Sequence, residues 1–240
     1  MSPESTDLRR QFVEADEHGV DALLVALAAS AGAEAAKSDR LCRSSLEALG
    51  SDLERAAQAI AKRFSAGACL YTFGNGASST DAASVAALFS RSPGGTLLPA
   101  RCLVADQAVL TAIGDDVGHG LIVSRQLVAF AQVGDIAMGY STTGNSETVI
   151  RAFREAKHRG LLTVGFVGCE GGQIAASDVL DHCFVVRSHS RHRIQEAQAA
   201  LSYRLWAAVQ QQLAPGSGRP ALGRQQPAAN QELLEPEEAR

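Results

Sequence analysis

Two short segments combine glycine with small polar side chains: Gly74-Asn75-Gly76-Ala77-Ser78-Ser79 and Ser141-Thr142-Thr143-Gly144-Asn145-Ser146. Glycine lets backbone approach a ligand closely, hydroxyls suit the oxygens of a phosphate ester, and a helix that starts after such a loop adds free N–H groups and the positive end of its dipole. That chemistry is capture of an esterified anion without a fixed positive charge. Neither segment is a Walker A loop, which needs G-K-[ST], and the first lacks the full G-x-G-x-x-G with a ribose-binding acid beyond the next strand. Plainer accounts exist: the first segment as a turn that reverses the chain, the second as a loop whose Asn145 or Ser146 is an N-cap. Two such loops after two parallel strands of one sheet would face one crevice, and the coincidence favours binding.

The elements that must hold these loops follow from hydrophobic patterning. Ala68 to Phe73, Arg101 to Ala105, Asp135 to Tyr140, Leu161 to Val167 and His182 to Arg187 are short runs, apolar throughout rather than at every second residue. Such runs predict strands buried on both faces of a parallel sheet. Ser146 to Arg159 predicts a helix, with Glu147 in its first turn, Lys157, His158 and Arg159 in its last, and Gly160 as its stop. Repeated βαβ units give a three-layer αβα sandwich with a five-stranded parallel sheet, whose ligand crevice lies beyond the carboxyl ends of the strands. Leu8 to Ser30 and Ser38 to Phe64 have helical apolar spacing and predict two helices ahead of the core. The expected domain organisation is 1–66 as N-terminal helices packing on the core and forming an oligomer interface, 67–213 as the main domain, and 214–240 as a disordered tail broken by Pro215, Pro220, Pro227 and Pro236.

Charge and composition exclude several functions. The 22 basic residues against 26 acidic ones leave a net charge of −4 in 240 residues, so no overall positive field exists to hold nucleic acid or an anionic membrane. The apolar stretch Ala22 to Ala31 is about half of what a bilayer requires, and Glu14, Asp16, Glu17 and Asp21 precede it where a signal peptide needs positive charge. A cytoplasmic protein is expected. Five cysteines, Cys42, Cys69, Cys102, Cys169 and Cys183, form no C-x-x-C pair and indicate neither a disulfide framework nor a zinc cluster.

The runs GNGASSTDAA, LTAIGDDVG, GDIAMGYSTTGNSETVIRAF, GLLTVGFVGCEGGQIA and HRIQEAQ, in this order and spacing, resemble the SIS (sugar isomerase) domain of the phosphoheptose isomerase and DnaA initiator-associating protein family over about residues 40 to 213. The resemblance implies a five-stranded parallel sheet between helices, a sugar phosphate ligand, and a homotetramer with sites at subunit boundaries. It also implies that Gly76, Ser78, Ser141, Thr142, Thr143 and Ser146 hold the phosphate, with Asn75, Asp116 and Gln195 near the sugar. Phosphoheptose isomerases place a His, a Glu, a Gln and a second His around a zinc ion that takes part in proton transfer. The matching residues here are Ser84, Leu88, Gln195 and Tyr203.

Aldose–ketose interconversion needs a positioned base of suitable pKa. Leucine can neither ligate a metal nor accept a proton, so the resemblance leads to no cofactor, no metal, and a phosphosugar-binding protein in a regulatory or adaptor role that engages a protein partner. The alternative is an active sugar-phosphate isomerase with a relocated base. Weak candidates for that base are Asp81 on the face of Ser84 and Leu88, Asp116, His192 ahead of Gln195, and Glu196. For His119, beside Asp115 and Asp116, a solvated loop is the favoured reading, and for His192 a surface position is.

Overall fold

The computed structural model describes residues 20–92 and 94–214. Its five strands are β1 (Leu70–Gly74), β2 (Ala100–Cys102), β3 (Ile136–Ser141), β4 (Leu162–Gly168) and β5 (His182–Val186), each within a residue or two of an apolar run. All pairings are parallel, in the order β2-β1-β3-β4-β5. Every residue of β1, β3 and β4 is buried, as helices on both faces require.

One face of the sheet carries α1 (Val20–Ser65), α2 (Ser78–Ser90) and α7 (Arg191–Leu213). The other carries α4 (Ile122–Phe130), α5 (Glu147–His158) and the short α6 (Gly172–Ala176). Between the two sets, α3 (Gln107–Val117) buries no residue fully, and a 3₁₀ turn at His119–Leu121 leads from it into α4. In the middle of the sheet Tyr140 stacks on Phe166 at 5.0 Å between centroids, and Phe166 meets Phe184 at 5.0 Å. On the opposite face Phe73 and Phe153 meet edge-on at 5.1 Å. Leaving β1 the chain travels to β2 on one side, and from β3 onward it travels the other way. The two connections lie on opposite faces, so a crevice opens above the carboxyl ends of β1 and β3.

The N-terminal region differs from the expected pair of helices. Within the described residues it is one helix, Val20–Ser65, running straight through the proposed break; the part of the first predicted helix before Val20 lies outside the described residues. Residues 31–37 read Ala-Gly-Ala-Glu-Ala-Ala-Lys, mostly strong helix formers, and one glycine costs only about 1 kcal/mol there. The i,i+3 pair Glu34–Lys37 and the i,i+4 pair Asp39–Arg43 add support across the junction. The later half supplies most of the helix's core residues, among them Leu53 and Ile60, which are fully buried and contribute about 1.5–3 kcal/mol each. Leu24 and Val25 stay 53% and 70% exposed. Among the described residues no helix is long and apolar enough to cross a membrane. The tail expected after residue 214 lies outside the described residues.

Candidate phosphate cradle and its cleft

The first loop leaves β1 at Gly74 and enters α2 at Ser78; the second leaves β3 at Ser141 and enters α5 at Glu147. Gly74 and Tyr140 are register partners in the sheet, so both loops begin at the same height. They touch: Asn75 Nδ2 donates to Ser146 Oγ at 2.8 Å, across 71 residues of sequence. Ser141 Oγ accepts from the N–H of Gly144 at 3.0 Å, and Thr143 Oγ1 accepts from the N–H of Asn145 at 3.2 Å. Each of these three hydroxyl oxygens therefore has a lone pair occupied by an internal N–H donor and keeps its own proton to donate elsewhere.

The N-cap account of the second loop does not hold. Ser146 occupies the cap position of α5 without capping it through its side chain, and Asn145 Oδ1 accepts from the N–H of Gln173 at 2.9 Å. A third loop after β4, around Gly171 and Gly172, thus braces the second. The approach is close enough that a Cβ on Gly144, at φ +70°, would lie 2.0 Å from the Gly171 carbonyl oxygen. Cys169, at φ +53°, adds a thiol contact to the Thr142 carbonyl at 3.4 Å. The first turn of α5 brings N–H groups to the cradle and both helices bring a dipole end, while in α2 the N–H groups of Ser78, Ser79 and Thr80 already bond to the carbonyls of Asn75, Gly76 and Ala77. Ser78 and Ser141 sit deepest, each 4% exposed.

Beside the cradle lies a cleft of about 520 Å³, walled by Asn75, Gly76 and Ser79 on one side and by Asp115, His119 and Thr148 on the other. Asp116, expected near the sugar, is exposed and is not among the residues lining this cleft; its neighbour Asp115, also exposed, is among them. From sequence His119 reads as a loop residue, and Asp115, Thr148 and the bracing loop do not stand out as site residues. Glycine density in Gly168-Cys169-Glu170-Gly171-Gly172, directly after a buried run, is the available signal for that loop.

A second wall rises between α2 and α7. Gln195 Nε2 donates to Asp81 Oδ2 at 3.2 Å, joining residues 114 positions apart. Burial pushes the Asp81 carboxyl above the usual carboxylate range, and the Gln195 hydrogen bond offsets part of that rise. Tyr140, whose hydroxyl is 2.9 Å from Ser202 Oγ, lies deeper in the same wall. Leu88 packs its aliphatic side chain against the core, Ser84 is exposed, and the 58% exposed Tyr203 ring rests on Trp206 at 5.2 Å. One amide oxygen, one surface hydroxyl and one phenol do not fit the nitrogen, sulfur and carboxylate donors of zinc, and Leu88 supplies no donor. His192 and Glu196 are both exposed on the first turns of α7.

Residues 35–168 match the family described as SIS domain. This chain belongs to the SIS family. Its SIS relatives include proteins named phosphoheptose isomerase: one from Roseiflexus sp. (strain RS-1) is 39% identical over 151 residues, covering 61% of this chain and 75% of that one. One from Thermodesulfovibrio yellowstonii is 38% identical over 163 residues, covering 66% and 79%. Among solved structures, the phosphoheptose isomerase of Neisseria gonorrhoeae superposes with a TM-score of 0.71 at 31% identity, covering 76% of this chain and 98% of that one. The chain is thus an SIS protein of the phosphoheptose isomerase family, with that family's five-stranded parallel sheet.

Proposed function

We propose that this SIS protein binds a sugar phosphate in the crevice between β1 and β3 and acts as a noncatalytic sensor or adaptor. The observation that carries the reading is the Asn75–Ser146 bond at 2.8 Å, which joins the two loops into one cradle where Ser141, Thr143 and Ser146 keep hydroxyl protons to donate. Ser78, Thr142 and Gly76 complete the cradle in this reading, with the sugar extending into the adjoining cleft. No fixed cation stands in the two loops, so hydroxyls, backbone N–H groups and helix dipoles carry the recognition. The noncatalytic part rests on Leu88, which puts packed hydrocarbon where the family's chemistry requires a carboxylate.

Isothermal titration with sedoheptulose 7-phosphate tests binding. Saturable heat is expected, and the Ser141→Ala/Ser146→Ala variant should bind at least about 10²-fold more weakly, since hydrogen bonds to a charged group contribute about 1.5–3 kcal/mol each. Unchanged affinity in that variant overturns the cradle. Incubating the protein with sedoheptulose 7-phosphate, with and without zinc, and following aldose formation tests the rest.

A second reading, an active isomerase with a relocated base, is favoured by Asp81. A half-buried carboxyl with a raised pKa and a single amide partner is poised to exchange protons. Turnover that disappears in Asp81→Asn would establish it in place of the binding protein.

The assembly belonging to either reading is a homotetramer, and the adaptor role adds a protein partner. The exposed Leu24 and Val25 of α1 supply apolar surface for such contacts. Sedimentation as a monomer at micromolar concentration overturns the tetramer.

A further inference from the structure

The cleft wall opposite the cradle contains one imidazole, and its setting is built rather than loose. Gly118, at φ +100°, ends α3 and turns the chain into the 3₁₀ segment that starts at His119. The carbonyl of His119 accepts from Thr148 Oγ1 at 3.3 Å, which ties the backbone of this residue to the first turn of α5. The ring lies against Gly114, where an added Cβ would stand 3.5 Å from Cε1 and 3.7 Å from Nδ1. On the far side of the turn, Arg151 approaches Gly120 so closely that an added Cβ would be 3.4 Å from its Nε. Arg151 is itself held by Glu147 at 2.6 Å. The arginine's charge is thus engaged on α5, and the hydroxyls of Thr111 and Thr148, which also line the cleft, donate to the backbone carbonyls of Gln107 and His119, so His119 and Asp115 are the ionisable groups of the lining, with Asn75 and Ser79 also in it.

Building on the proposed phosphosugar site, we propose that His119 is the specificity-determining residue of the cleft: its imidazole hydrogen-bonds a hydroxyl of the sugar whose phosphate lies in the cradle. The division of labour is spatial. The cradle offers donors to the anion, whereas the imidazole offers one donor and one acceptor on the same ring when neutral, which matches a hydroxyl. Asp115 beside it accepts from a second hydroxyl. A bare phosphate would fill the cradle without reaching this wall.

The test compares two probes, inorganic phosphate and sedoheptulose 7-phosphate, on the full-length protein by isothermal titration. His119→Ala should weaken the sugar phosphate about tenfold and leave inorganic phosphate within about twofold. His119→Gln, which keeps a side-chain amide in the place of the ring nitrogens, should recover most of the loss. Urea midpoints equal to wild type confirm that the variants fold, as expected for an exposed side chain. The inference is overturned if His119→Ala binds the sugar phosphate as wild type does, if it weakens both probes equally, or if wild type itself prefers neither probe. Failure of the cradle reading looks different: Ser141→Ala/Ser146→Ala then binds both probes normally, whatever His119 does.

Discussion

The cradle and the α2–α7 wall lie at the same end of the sheet, yet they are built on opposite terms. In the cradle, three segments distant in sequence meet, the second and third at backbone contact, and the hydroxyl oxygens accept internal N–H bonds and keep their protons to donate. In the wall, Leu88 is packed against the core, Ser84 and Tyr203 are exposed, and Gln195 is bonded to Asp81. The difference lies in what holds each region together: backbone geometry and small polar side chains in the cradle, packed hydrocarbon and one amide–carboxylate bond in the wall.

The sharpest way to break the comparison is to spoil the cradle's backbone. Gly144→Ala should destabilise the protein by about 3 kcal/mol or more, because it combines a positive φ with a Cβ 2.0 Å from a carbonyl oxygen. A urea midpoint unchanged from wild type would mean the second and third loops are free to separate. Leu88→Glu comes next: if this part of the wall has become core, a carboxylate there should cost about 1–3 kcal/mol in the same assay. A neutral result would show that polar space persists beside Leu88. Asn75→Ala removes the link between the loops and should weaken inorganic phosphate binding about tenfold, read by titration calorimetry.

The smallest effect belongs to Asp81. Its carboxyl pKa is raised in the folded state, first by burial, so its contribution to stability is fully present below the ordinary carboxylate range and is lost as pH rises through the raised value. Asp81→Asn should therefore gain stability relative to wild type between about pH 3 and pH 7. A gap that does not change with pH would show that the folded and unfolded states titrate alike at this residue.

Asp181 behaves in the opposite sense. Burial tends to raise its pKa, but the Lys157 ammonium at 2.6 Å, the Thr163 N–H at 2.9 Å and the Thr163 hydroxyl together hold it below the usual range. Its contribution is present above the ordinary carboxylate pKa and lost as pH falls through the lowered one. The two aspartates differ because one faces a cation and the other only an amide.

Much of the molecule is legible without coordinates. Five apolar runs of strand length, two glycine- and hydroxyl-rich loops after two of them, and an aliphatic residue at position 88 are local properties, and local properties survive folding unchanged. The parallel sheet follows from the apolar runs, whereas position 88 gains its meaning only from the resemblance to phosphoheptose isomerases. The join between the two predicted N-terminal helices is absent because a lone glycine among alanines looks like a boundary and costs too little to be one.

Tertiary structure decided the rest. That Asn75 reaches Ser146 and that Asp81 reaches Gln195 depends on strand order and on which face each helix covers, and no pattern within a few residues carries that information. That Asp115 lines the cleft with His119, and that the His119 ring rests against Gly114, depends on how α3 and the turn after it pack against their neighbours. Residue identity therefore determined which chemistry was on offer, and packing determined which of those groups meet, because contact between distant segments is a property of the assembled layers.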